Sequence, residues 1–276
     1  MTEKKASTEK YIVPFRALIP FLLITFVLTW SILALFIFLP EQMTRYVGAL
    51  SGEHPLFFLA VWAPAIAAVL LILSKAGPQG LTRFLSRLSL WRAGVMWYVF
   101  LLVGIPAIFY LGAAWKGTIS DPLPFATASS VVTALLLGLI KGPLEELGWR
   151  GFALPLLQRR LSAFWSALLL GIIWGIWHLP AFLASGTQQS GWSFLPFFIG
   201  TIAISVIITA LFNATRGSLL LAAFMHFQLM NPIWPDAQPY DTYVLSVVAL
   251  VLVWAKRKEM FTRARGVQEV VPGVER

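Results

Sequence analysis

The chain contains no cysteine, so disulfides, thiolate catalysis and iron–sulfur ligation are excluded at the outset. It is also poor in charge: Asp, Glu, Lys and Arg make up 12% of its 276 residues, against about a quarter in soluble domains. With 58% hydrophobic residues and a mean hydropathy of +0.79, a soluble globular protein is ruled out. Period-two alternation is missing, which excludes an outer-membrane barrel. There is no internal repeat, no His-Glu-x-x-His and no Gly-x-Ser-x-Gly, so the standard zinc-protease helix and the serine-hydrolase elbow are both absent. Histidine is scarce: only His54, His178 and His226 occur.

What is present is a series of long apolar runs, and they predict an all-α polytopic membrane protein. Eight transmembrane helices are expected, at about 17–39, 55–74, 93–115, 126–147, 162–183, 192–212, 217–230 and 240–255. Residues 1–16 read as a cytoplasmic tail, and 17–125 as spans one to three. Residues 75–93 form a basic amphipathic segment on the membrane surface. Residues 126–235 carry the chemistry, and 240–276 hold the last span and a basic tail. Lys and Arg number four in the N-terminal tail, one in 40–54, four in 75–93 and one in 116–125. They number four in 141–162, none in 184–191, one at Arg216, none in 231–239 and six in the C-terminal tail. That alternation predicts cytoplasmic termini and contact of the tail with anionic lipid. The excess of positive charge records topology, so no nucleic-acid partner is expected.

The chemistry centres on Lys141-Gly-Pro-Leu-Glu145-Glu146-Leu-Gly-Trp-Arg150. An ionised group near the bilayer centre costs roughly 2.5–3.5 kcal/mol on insertion scales, so such groups need partners or a function. Glu146 and Arg150 stand four apart, the spacing of an intrahelical ion pair. Lys141 stands four before Glu145, so a purely structural reading gives both carboxylates such a pair. Glu145 shares its ridge with Gly138, Gly142 and Gly148, where another helix can approach closely.

His178 and His226 lie inside apolar runs, while His54 reads as a solvated loop residue. The midpoint of Glu145 and His178 falls at the turn Arg159-Arg160-Leu161-Ser162. In an antiparallel hairpin turning there, the two residues face each other. His226 stands ten residues past Arg216, about 15 Å above that turn. One carboxylate and two imidazoles are thus expected around one cavity, in the cytoplasmic half of the bundle and open to the cytoplasm. Such a set suits hydrolysis: the carboxylate takes a proton from water and the rings hold that water or an oxyanion. Glu145, His178 and His226 also match the ligand count of a catalytic divalent metal such as zinc.

In order along the chain, Glu145-Glu146-x-x-x-Arg150, Trp174-Gly-Ile-Trp-His178, and His226 with nearby Asn231 resemble the CPBP family. These are the CaaX-protease and bacteriocin-processing (Abi) intramembrane peptidases. The resemblance covers about residues 125–235 and implies an endopeptidase of the plasma membrane. Its substrate would be a membrane-associated peptide or protein. It implies that Glu145 activates water, that His178 assists, and that His226 and an Asn stabilise the oxyanion. Glu146, Arg150 and Trp174 would support them. Two departures stand out: Trp174 replaces the usual Phe, and Met230 occupies the usual Asn position, with Asn231 one residue later. Gln228 is the other amide nearby. The departure at Met230 favours an alternative, a non-catalytic scaffold or bacteriocin-immunity protein that retains the fold. A transporter would show an inverted repeat, which is not found.

Overall fold

The computed structural model describes residues 12–263 and 265–273. The lysines of the N-terminal tail, Lys4, Lys5 and Lys10, fall outside the described residues. In chain order the helices are α1 (Leu18–Phe38), α2 (Pro40–Val47), α3 (Pro55–Val61) and α4 (Ala63–Leu85). Next come α5 (Val95–Lys116), α6 (Ala128–Gln158), α7 (Ala163–Leu183) and α8 (Phe194–Ala214). Last are α9 (Leu219–Leu229), α10 (Tyr240–Ala255) and α11 (Arg257–Phe261). No strand occurs among the described residues.

Six helices are long and apolar enough to cross a membrane: α1, α4, α5, α6, α7 and α8. The chain is a multi-pass membrane protein. Two shorter apolar helices, α9 and α10, complete the bundle. At 1.5 Å per residue α9 is about 16 Å long, half the hydrocarbon thickness. Its chain continues as the non-helical stretch 230–239. The apolar residues left exposed, such as Leu23 and Val27 on α1 and Leu250 and Val251 on α10, form the lipid-facing surface.

Several helices are interrupted, each for a stated reason. The expected second span is two helices, because the chain turns at Trp62 between α3 and α4. Gly77, at φ +63°, breaks α4 ahead of Pro78, a conformation glycine adopts without steric cost. In α6 the break falls at Lys141 (φ −82°, ψ −97°), and Gly142–Leu144 makes one tight turn. Pro143 lacks the N–H that would continue the helical ladder. The chain re-enters an α-helix at Glu145, and Trp149–Ala153 then widens into a π turn. Such turns are rare and concentrate at functional sites.

Small residues set the packing around α6. A Cβ at Gly148 would run into the backbone of Pro64, so α4 lies directly against this turn. Where Gly171 faces Ile202, Ser205 Oγ donates to the Ala167 carbonyl at 2.8 Å and joins α7 to α8. Interhelical hydrogen bonds of this kind average about 0.6 kcal/mol each, so close packing carries most of the association.

At the end of the bundle where α4, α6 and α8 terminate, residues 265–273 fold back onto the helices. Gln158 donates to the Val267 carbonyl at 2.8 Å and exchanges hydrogen bonds with Asn213. Arg159 donates to the carbonyls of Gln268 and Val13. Val270 and Val271 are buried. Within the basic segment 75–93, Arg87 is buried and donates to the Glu269 carbonyl at 2.5 Å, while Arg83 donates to that of Gly273. These two side chains turn towards protein.

Candidate active site

The two adjacent carboxylates of α6 enter different surroundings. Glu146 is buried, and its Oε1 accepts from Arg150 at 2.9 Å and from His226 Nδ1 at 2.7 Å. The i,i+4 ion pair therefore forms as its spacing predicts. The Lys141–Glu145 pair of the structural reading does not, because the break at Lys141 destroys the helical register. Arg150 is wholly buried, with its guanidinium 4.5 Å from the centre of the Trp174 ring. A cation over an indole face is stabilised by the ring quadrupole.

Glu145 lines a cavity of about 920 Å³; Glu146 does not. Glu145 Oε2 accepts two indole N–H groups, from Trp174 at 2.9 Å and from Trp149 at 3.3 Å. Among the described residues Oε1 has no such donor, which leaves that oxygen to the cavity. Trp174 stands between the two imidazoles, with ring centroids 5.6 Å from His178 and 5.4 Å from His226. Both rings line the same cavity. His178 Nδ1 bonds the Trp174 carbonyl at 2.8 Å. A carbonyl only accepts, so Nδ1 carries the proton and Nε2 of the neutral ring is an acceptor. Gly142 makes room for His226: a Cβ there would lie 2.6 Å from its Nε2 and collide with the Met230 sulfur.

α9 ends at Leu229, one residue before Met230. Because the helix stops there, Asn231 lines the cavity although it follows His226 by five residues. Its Nδ2 donates to Gln228 Oε1 at 3.3 Å and its Oδ1 accepts from the Ile233 amide. Gln228 is buried, donates to the Leu101 carbonyl on α5 and lies off the cavity wall. His54 is buried too, against the expectation of a solvated loop residue. Its Nδ1 caps α3 by accepting from the Leu56 amide, and its Nε2 bonds the Val47 carbonyl.

Two features bear on the sequence expectation. First, His226 is partnered by Glu146, whereas Glu145 is held by tryptophans. Trp149 is one of them; no local signal marks a donor aimed at a residue one turn away. Among the described residues no group of three His, Asp or Glu side chains is arranged to hold a metal ion. Nδ1 of each ring and Oε2 of Glu145 bond protein groups, which leaves Nε2 of each ring and Oε1 as the atoms that would meet a ligand. The chemistry below is written for the side chains alone. Second, the mouth of the cavity and the basic turns stand at opposite ends of the bundle. Its rim is made by 119–124, 188–192 and 231–238, which connect the helices at the end remote from the basic turns. The expectation of cytoplasmic termini and that of a cytoplasmic mouth are therefore incompatible. The physical reason is that His178 and His226 stand near the ends of their helices farthest from Arg159–Arg160 and Arg216.

Comparison with known proteins joins this geometry to a family. Residues 127–231 match the Type II CAAX prenyl endopeptidase Rce1-like family. The chain is 31% identical over 235 residues to CAAX prenyl protease 2 of Methanococcus maripaludis, covering 77% of this chain and 86% of that one. This chain belongs to the CPBP family. It is a CPBP-type protease, an intramembrane endopeptidase, and the matched segment contains all the residues that carry the sequence resemblance. The peptidase is also 25% identical over 128 residues to lysostaphin resistance protein A of Staphylococcus haemolyticus, over 45% of this chain and 34% of that one.

Proposed function

We propose that the peptidase hydrolyses a peptide bond of a membrane-associated protein or peptide with water activated by Glu145. One observation carries this reading: of the two neighbouring carboxylates, only Glu145 reaches the cavity that both imidazoles line. Its Oε2 is fixed by two indoles, so Oε1 is presented in a constant direction to a water molecule. Oε1 removes the proton as that water attacks the carbonyl carbon. His178 accepts a second hydrogen bond from the water through Nε2, whose lone pair its bond to the Trp174 carbonyl leaves available.

The tetrahedral intermediate places negative charge on the former carbonyl oxygen, and His226 and Asn231 stand on the wall that would meet it. With Nδ1 bonded to Glu146, His226 presents Nε2 to the cavity, where it donates to that oxygen when both ring nitrogens carry a proton. Asn231 Nδ2 donates to the oxyanion by exchanging its 3.3 Å bond to Gln228. The proton taken by Glu145 then passes to the leaving amine, which keeps the proton count balanced. The CAAX prenyl specificity in the name of the archaeal relative is a substrate to try first, as a lipidated C-terminal peptide. Cleavage by purified protein tests the reading. Glu145→Gln should abolish hydrolysis while the protein stays folded; equal rates for the two proteins would remove Glu145 from the reaction.

A further inference from the structure

One charge on the cavity wall has no part in the hydrolysis. Lys141 stands four residues before Glu145, the spacing at which a lysine neutralises a glutamate on a regular helix. The break at Lys141 prevents that pair, and both side chains line the cavity instead. The Lys141 ammonium lies 5.9 Å and 5.5 Å from the centres of the Phe57 and Phe58 rings. Such rings stabilise a cation but offer it no oxygen. Among the described residues the ammonium makes no ion pair and donates no hydrogen bond to protein. Glu53, which acts on it through space, is exposed and beyond ion-pair distance.

The rest of the wall has the opposite sign. Asp121, Glu145, Asp236 and Asp241 line the cavity, and among the described residues Lys141 is the only lysine or arginine to do so. Asp236 is neutralised by Lys116 at 2.7 Å, and Asp241 accepts from Gln238 and from the Thr242 amide. Charged side chains within spans almost always pair with one another or mark the path of a substrate or ion. Here the protein supplies no paired anion, so an anionic group that enters the cavity has one point of attraction. The anionic groups that an unmodified peptide brings are carboxylates. Lys141 and Glu145 are four residues apart on one chain, so their α-carbons are separated by at most about 14 Å. A carboxylate held by Lys141 therefore sits within a few residues of the peptide bond that Glu145 attacks.

We propose that Lys141 is a specificity-determining residue: it binds a carboxylate of the substrate close to the scissile bond and so sets which bond lies over Glu145. That carboxylate is the C-terminus of the substrate or an acidic side chain a few residues from the cut. This rests on the peptidase reading of the cavity and adds what the cavity selects.

The test uses the full chain in detergent and one lipidated peptide in three forms: free C-terminus, C-terminal amide, and the amide with Asp as its last residue. A carboxylate-bearing form should be cleaved with a kcat/KM about tenfold to hundredfold above that of the plain amide, the range of a hydrogen bond to a charged group. Lys141→Met should erase that preference through KM, Lys141→Arg should keep most of it, and Lys141→Glu should reverse it. Glu53→Gln should leave it in place, which a lysine serving only Glu53 does not predict. Preference for the free acid alone identifies the chain end as the source, and an equal preference for the Asp peptide identifies an acidic side chain as well. Equal kcat/KM for acid and amide, or a preference that survives Lys141→Met, overturns the proposal. Binding of the same peptides to Glu145→Gln, followed by fluorescence anisotropy, reads the subsite without turnover. Tighter binding of the acid that depends on Lys141, with no hydrolysis by the unsubstituted protein, refutes the peptidase reading and keeps the subsite. Equal binding of acid and amide removes the subsite whatever the rates.

Discussion

The surroundings of Glu145 and those of Glu146 begin one peptide bond apart and differ in almost every physical respect. Glu145 faces a cavity, has one oxygen held by neutral indoles and leaves the other to solvent and substrate. Glu146 sits in a closed cluster with a guanidinium and an imidazole. The difference shows what a pair of adjacent acids on a helix can accomplish. Because side chains one residue apart diverge by about 100°, one carboxylate can be spent on holding the bundle together while its neighbour stays reactive.

That contrast can be broken by substitution. The largest effect is expected for Glu145→Gln: loss of about 10²–10⁴-fold in rate, the usual contribution of a general base, with an unchanged melting temperature. Glu146→Ala should do the opposite in kind, costing about 3–5 kcal/mol of stability by leaving Arg150 charged and unpaired in the interior. Denaturation in detergent reads this directly. Replacing Glu146 and Arg150 together with apolar residues should recover much of that stability but not the activity, since His226 would still lack its anchor.

Smaller changes sharpen the comparison. Gly142→Ala would press a methyl group against the His226 imidazole and the Met230 sulfur. A displacement of about 1 Å at a catalytic group can cost 10²-fold, and a loss approaching that is expected, visible in kcat more than in binding. Met230→Ala in the same background should relieve only the collision with sulfur. Trp174→Phe installs the family's usual aromatic and removes one indole donor from Glu145. With Trp149 still donating, about a tenfold loss of rate is expected, in line with a charge-assisted hydrogen bond worth about 1.5 kcal/mol.

Much of this was legible in the residues. Apolar runs give the all-helical membrane class, since no other arrangement of such a composition satisfies its backbone in lipid. The Glu146–Arg150 pair follows from spacing, and a turn at 159–162 brings Glu145 and His178 to one height, where both line the cavity. The rest was not legible, for identifiable reasons. The bond between Glu146 and His226 joins residues 80 apart in sequence, and nothing local announces it. Trp149 looks like any membrane tryptophan, and Trp174 is marked only by its motif, until their N–H groups are seen to converge on Glu145. The break at Lys141 is foreshadowed by Pro143, but its consequence, the loss of the Lys141–Glu145 register, appears only in space.

The irregular stretch that follows α9 has one more implication. Backbone without helical hydrogen bonds is tolerated at membrane depth only where it is buried in protein or wetted. Residues 231–238 line the cavity for their whole length, and their polar groups therefore ask for solvent along the path inward from the rim. Hydrolysis consumes one water per turnover, and a wall that must stay hydrated in order to be stable keeps that co-substrate in supply without a separate channel.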